Sequence, residues 1–251
     1  MQSSVFAKWV CEHRLIAHVV LPGVLSLLLM ALYFSGNSIL QNIVAPKMDS
    51  MPVFSAREFG ILEMLQSFVL LFIVFYSVRC FMLASDFWIR LVALCLVFIS
   101  VFTFLEELDY GAHFIEYLTG QHGSMAQETW TRNLHNRLGP GGTQYGDILK
   151  IICYVGVLTG FVLAPLLLSS VRNRTIRLLV PSRWVISTVV LVALLGVLAR
   201  DLENSGYSMI GESQGVLYKN LSEFRELNLY YLLLLYTANL YERIIVQKNA
   251  V

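Results

Sequence analysis

The sequence predicts an all-α fold: a polytopic membrane helix bundle of about six transmembrane helices, with a short interfacial helix in a long outer loop. Residues 1–251 form a single integral-membrane domain in this reading. Three observations carry it. Only 14% of residues are charged and 57% are hydrophobic, against roughly 25% charged in a water-soluble domain. Apolar runs of about 20 residues, enough to cross a bilayer, recur along the chain. The connecting segments alternate between basic and acidic, as they do when Lys and Arg are retained on the cytoplasmic side.

The expected spans are residues 15–34, 61–78, 87–108, 148–171, 184–199 and 224–245. The first carries Pro22-Gly23, which should kink a helix yet is tolerated inside a bundle. It is too long for a signal-peptide core and no small-residue cleavage site follows, so it is expected to stay as a helix. The fifth is the shortest and should stand nearly upright.

Lys8, Arg14, Arg79, Arg90, Arg172, Arg174, Arg177, Arg183, Arg243 and Lys248 all fall on one side of six spans, which puts both termini in the cytoplasm. The other side receives Glu106, Glu107, Asp109, Glu116, Glu128, Asp147, Asp201, Glu203, Glu212 and Glu223. Net charge is +1, and the basic residues sit where orientation already requires them, so no nucleic-acid partner is expected. Of the four cysteines, Cys11 and Cys80 fall inside the cell and Cys95 and Cys153 in apolar spans, which argues against a disulfide framework.

Two outer segments are long. Residues 37–60 are polar and hold Pro46 and Pro52. Residues 109–147 form the longest loop, and long loops in compact folds are commonly functional. Ser124 and Gln127 have capping-box spacing. Trp130, Leu134 and Leu138 then make an apolar stripe at helical spacing. The expectation is a short helix at the outer interface, either a lid or a Trp-anchored surface helix.

Charged groups at membrane depth are expensive and point to function. Glu106 and Glu107 close the third apolar run directly. If that helix continues, Glu106, Asp109 or Tyr110, and His113 lie on one face at i, i+3/i+4, i+7 spacing. Two adjacent carboxylates that cannot both ionise comfortably favour a shared proton or a cation. Glu63 opens the second span, and Glu223 and Glu226 open the sixth; acidic residues there also complement the helix dipole. Glu226 is nearer the apolar run, with Asn228 and Tyr230 after it. His135 lies between Asn133 and Asn136 on the expected interfacial helix, and imidazole is both a metal ligand and an acid/base at neutral pH. The candidate catalytic groups are therefore Glu106, Glu107 and His135. The candidate binding groups are Glu63, Tyr110, Asn133, Asn136 and Glu226. Glu106, His113 and His135 are the candidate ligands of a divalent metal.

Glu58-Phe59-Gly60-Ile61-Leu62-Glu63, then Glu106-Glu107-x-x-Tyr110-Gly111, then Asn133-Leu134-His135-Asn136 resembles a group of uncharacterised bacterial polytopic membrane proteins. The resemblance covers about half the chain through short motifs. It implies a bacterial inner-membrane location and that these residues belong together, and attaches no activity. The paired Glu is also similar to that of bacterial glutamate-class intramembrane proteases. Their following Arg is missing here, where Gly111 and Ala112 stand, and the histidine spacing differs. No His-Glu-x-x-His helix or P-loop is present.

Two functional readings remain. One is a membrane-embedded enzyme, a metal-assisted hydrolase or transferase with an outward-facing site for a membrane lipid or lipid-linked substrate. The other is a transporter, ion-coupled carrier or membrane-complex assembly subunit, since proton-coupled transport also uses intramembrane carboxylates. Gly156 and Gly160 give a small-xxx-small face that could receive a partner membrane helix. The middles of spans three, four and five carry no charge, which favours a one-sided pocket over a path through the bilayer.

Overall fold

The computed structural model describes residues 4–46, 59–111, 115, 118–120, 145–204 and 222–249. All regular secondary structure among them is helical. Helix α1 (Val5–Glu12) is capped by Ser4 and leads through a π-helical turn (Ile16–Val20) into α2 (Leu21–Tyr33). Next come α3 (Ser38–Val44), α4 (Ile61–Leu83) and α5 (Phe87–Glu107). The later elements are α6 (Tyr145–Val157), a π-helical stretch (Leu158–Leu163) with α7 (Ala164–Leu167), α8 (Arg174–Leu179), α9 (Trp184–Asn204) and α10 (Ser222–Asn249).

Three of these segments, Ile16–Tyr33, Ile61–Leu83 and Phe87–Glu107, are long and apolar enough to cross a membrane. That points to a membrane location. Ile151–Leu167 and Trp184–Leu198 are apolar but shorter. Surface chemistry agrees. Phe68, Phe72 and Phe75 on α4 and Phe98 and Ile99 on α5 are exposed, as lipid-facing residues are and as a water-soluble bundle would avoid in such density.

Burial on α4 follows the helical repeat. Leu62, Glu63, Gln66, Leu70, Ile73, Tyr76, Ser77 and Cys80 are buried, at the three- and four-residue spacing of a packing seam. This seam meets α10, whose Leu234, Ala238, Leu240, Tyr241, Ile244 and Ile245 share a core with Leu70, Ile73, Tyr76 and Cys80. The α2 end of the bundle has a second core, where Tyr33 and Phe224 meet edge-on at 6.0 Å. Helix α10 touches α1, α2, α4, α8 and α9, so it is the element the others are packed around.

The two π-helical stretches each end just before a proline at the start of the next helix, Pro22 in α2 and Pro165 in α7. Proline lacks the N–H of the helical ladder and its ring crowds the preceding turn. A wider π turn absorbs that conflict without breaking the rod. The kink expected at Pro22-Gly23 is thus taken up one turn earlier. Gly60, which caps α4, is required sterically, because a Cβ there would stand 2.2 Å from the Val44 carbonyl oxygen.

The basic end is tied together by hydrogen bonds. Arg243 Nη1 donates to the carbonyls of Arg177, Leu178 and Val180. Asp86 caps α5 by accepting from the Trp88 and Ile89 N–H groups, and it also accepts the Thr175 hydroxyl at 2.7 Å. The Thr175 hydroxyl, then the two N–H groups, hold its carboxyl below the usual carboxylate range. All four cysteines are free. The expected interfacial helix, around Ser124 to Leu138, lies outside the described residues. Within the segment read as a polar loop at 37–60, helix α3 forms on an Asn37 cap that accepts from Ile39 and Leu40.

Candidate functional site

The site is made from three helix ends. Glu63 lies in the first turn of α4, Glu107 is the last residue of α5 and Glu223 lies in the first turn of α10. One carboxylate oxygen from each comes within 4.8 Å of the other two. Glu63 and Glu223 are 3% and 5% exposed, and Glu107 is half-buried. Two of the three stand at helix N-termini, where the backbone dipoles favour negative charge; Glu107 stands at a C-terminus, where they oppose it.

Polar side chains hold the acids in position. Gln66, one turn after Glu63 and fully buried, donates from Nε2 to Glu223 Oε2 and to the Glu223 carbonyl, both at 3.1 Å. Its Oε1 is buried without a hydrogen-bond partner. Tyr230, two turns after Glu223, donates its hydroxyl to Glu107 Oε1 at 2.5 Å. Asn228 donates to the Ser26 hydroxyl at 2.8 Å and to the Phe224 carbonyl at 2.7 Å, fixing α10 to α2 just beneath the acids.

Of the residues singled out from the sequence, Glu63 and Glu107 meet here. Glu106 is buried but accepts the Tyr110 hydroxyl instead. Glu226 is half-buried; its carboxylate, with those of Glu107 and Glu223, acts electrostatically on Tyr230. His113, Asn133, His135 and Asn136 lie outside the described residues, as does the Asp109 side chain. The expected straight line from Glu106 through Tyr110 to His113 is interrupted. Helix α5 ends at Glu107, and Tyr110 and Gly111 adopt positive φ values of 54° and 81°. The Gly111 N–H then donates to the Leu108 carbonyl at 2.7 Å. Gly permits this reversal, and Tyr110, which adopts it at a steric cost, is held by its bond to Glu106.

Two members were not in the sequence-derived set. Glu223 reads as a helix-start residue, and Gln66 as an ordinary polar residue in an apolar run. The available signal was spacing: Glu63 and Gln66 share a face at i, i+3, and Glu223 and Tyr230 at i, i+7.

Three carboxylates this close must be offset. In their buried setting, ionised oxygens at such a separation repel strongly. The arrangement can take up protons or a cation. An all-oxygen donor set suits a hard divalent ion such as Mg²⁺ or Ca²⁺ rather than a soft one. Oxygens on opposite sides of Ca²⁺, each at about 2.3–2.6 Å, stand roughly 5 Å apart, so the spread of the three Glu oxygens fits one ion. The chain matches no protein-family model, and neither a curated protein nor a solved structure is detectably similar to it.

Proposed function

We propose that this chain is an integral-membrane enzyme, a metal-assisted hydrolase or transferase, whose carboxylate site works on a lipid or lipid-linked substrate at the outer membrane face. The observation that carries this is the meeting of Glu63, Glu107 and Glu223 within 4.8 Å at one end of the bundle. The three acids would hold the cation. A divalent cation there supplies Lewis acidity toward a phosphoryl or carbonyl oxygen. Tyr230 keeps Glu107 turned toward the cluster, and Gln66 does the same for Glu223. Glu106 with Tyr110 forms an acid–phenol pair beside it, able to hold or pass a proton.

A lipid substrate is favoured by position. The acids occupy the start of α4, the end of α5 and the start of α10, a level where headgroups rather than acyl chains meet a spanning bundle. The six-span reading places that end outside, with both termini in the cytoplasm of a bacterial cell, because the opposite end carries Arg79, Arg90, Arg174, Arg177 and Arg243. A carrier is the weaker reading for a specific reason. No charged residue lies between Glu63 and Arg79 on α4, between Arg90 and Glu106 on α5, or between Glu226 and Glu242 on α10. A coupled proton or ion path would need polar groups across that depth.

The test is metal content together with activity. Protein purified without chelator should carry about one divalent ion per chain and hydrolyse or transfer a headgroup from phospholipid or lipid-linked phosphate in mixed micelles. Glu107→Gln should lose both. A metal-free protein whose lipid turnover survives chelation would remove the metal-assisted reading; absence of turnover on any lipid class, with metal bound, would remove the enzyme.

A further inference from the structure

A groove of about 370 Å³ runs between the α6 end, the π-helical stretch, α9 and the start of α10. Its lining is largely apolar: Val157, Leu158 and Val162 from the α6 end and the π-helical stretch, Val192 from α9 and Leu229 from α10. Gly196 on α9 leaves it open, and a Cβ there would sit 3.7 Å from Arg225 Cδ. Along α9 the lining runs from Val189 to Val197, a rise of about 12 Å. That length accommodates a stretch of extended hydrocarbon.

Arg225 is the feature that needs a physical reason. It is the one charged residue lining this groove among the described residues. Its guanidinium lies 5.5 Å over the Tyr154 ring, and its Nε–H is buried without a hydrogen-bond partner among the described residues. A guanidinium with an unsatisfied donor against apolar walls is costly unless an anion meets it. Its planar set of N–H donors matches a phosphate. The three-carboxylate site does not serve that purpose. Glu223 faces α4 through Gln66, whereas Arg225 faces α9 at Gly196, so the two lie on different flanks of α10.

We infer that this groove binds an anionic phospholipid, one acyl chain lying between the π-helical stretch and α9 and the phosphate paired with Arg225. Charge complementarity selects the occupant. A zwitterionic lipid offers the same chain but sets its own cation beside the guanidinium, and a hydrophobic partner helix leaves Arg225 unmatched. The inference does not depend on the carboxylate centre being catalytic.

The full-length protein in a neutral detergent, titrated with phosphatidylglycerol or phosphatidylcholine of identical chains and read by native mass spectrometry, tests it. The wild type should retain one phosphatidylglycerol at least about tenfold more tightly than phosphatidylcholine, the scale of one charge-assisted contact. Arg225→Gln should abolish that preference, and Arg225→Lys should keep part of it. Gly196→Leu, which fills the groove from α9, should weaken retention of both lipids. Equal retention of the two lipids by the wild type would overturn the inference, as would a preference that survives Arg225→Gln. Should Arg225→Gln fail to fold, Gly196→Leu decides: unchanged phosphatidylglycerol retention overturns it, and loss supports it.

Discussion

Removing one acid from the cluster should stabilise the cation-free protein and abolish its response to a cation. The size follows from the distances. Ionised oxygens within 4.8 Å of one another repel by at least roughly 3.5 kcal/mol per pair at an effective dielectric of about 20. Three such pairs amount to about 10 kcal/mol, comparable to the roughly 5–15 kcal/mol that holds a domain folded. The cation-free wild type therefore cannot carry three full charges at no cost, and Glu63→Gln removes two of the three pairs. Loading a single cation site to 100 times its Kd adds about 2.7 kcal/mol. For a chain of 251 residues, at roughly 2–4 °C per kcal/mol, that raises the midpoint by about 5–11 °C. The assay is thermal unfolding in neutral detergent by tryptophan fluorescence, with and without Mg²⁺, Ca²⁺ or Mn²⁺ at neutral to mildly alkaline pH. Glu63→Gln and Glu223→Gln should start with a higher midpoint than the wild type and gain less than about 2 °C from the cation, less than 1 kcal/mol of linkage. A wild type that responds to none of the three ions refutes the argument, as does a Gln variant that responds fully.

Three further outcomes follow from local geometry. Tyr230→Phe removes a donor to a carboxylate and should cost about 1.5–3 kcal/mol, while Tyr231→Phe removes a donor to the Ala17 carbonyl and should cost about 0.5–1.5 kcal/mol; equal midpoint losses would argue that Glu107 is not charged when Tyr230 meets it. Gly60→Ala should destabilise by at least about 1–3 kcal/mol, because the added Cβ meets the Val44 carbonyl oxygen at 2.2 Å. Gly156→Ala, where a Cβ meets nothing within 4 Å, should gain about 0.5–1 kcal/mol, and denaturant midpoints of opposite sign check the pair. Asp86 has a carboxyl held below its ordinary range by Thr175 and the α5 N–H groups, so its contribution is present above the unfolded pKa of about 3.9 and fades as pH falls through the lower folded value; the midpoint difference between wild type and Asp86→Asn should be constant at neutral pH and shrink only below about pH 4.

The α2, α4 and α5 spans were legible because an unbroken apolar run of that length matches the thickness of a bilayer and exceeds what the core of a small soluble domain can bury. Their ends fell within a few residues of those expected: Ile61–Leu83 against 61–78, and Phe87–Glu107 against 87–108. Helix α3 was hidden because a seven-residue helix in a polar segment gives no periodic signal beyond its Asn37 cap. The site was half legible. Paired acids at the end of an apolar run are visible in one dimension, so Glu107 was found, and Glu63 was taken up as the acid that opens the second span. Glu223 opens the sixth in the same way and was passed over for Glu226, which stands nearer the apolar run. What makes it part of the site is its contact with Gln66, 157 positions away in the chain. Sequence spacing within one helix carries no trace of that meeting.

Helix α10, expected as the span 224–245, owes its place more to packing than to hydropathy. Its 28 residues include Asn228, Asn239, four tyrosines and charges at both ends, and it does not reach the hydropathy of a spanning helix. Yet Leu232, Leu235, Thr237, Ala238 and Leu240 are buried to 1% exposure or less, because α1, α2, α4, α8 and α9 surround it. A helix shielded from lipid on several sides is released from the demand for apolar side chains that shapes α4 and α5. That release is what allows Asn228, Tyr230 and Glu223 to stand inside the bundle, each with a partner on a neighbouring helix. The exposed faces of α4 and α5 are apolar, and the polar seam they share with α10 brings three acids together at one end. A polar central helix and a one-ended carboxylate cluster are therefore one feature: the first creates the sheltered interior in which the second can form.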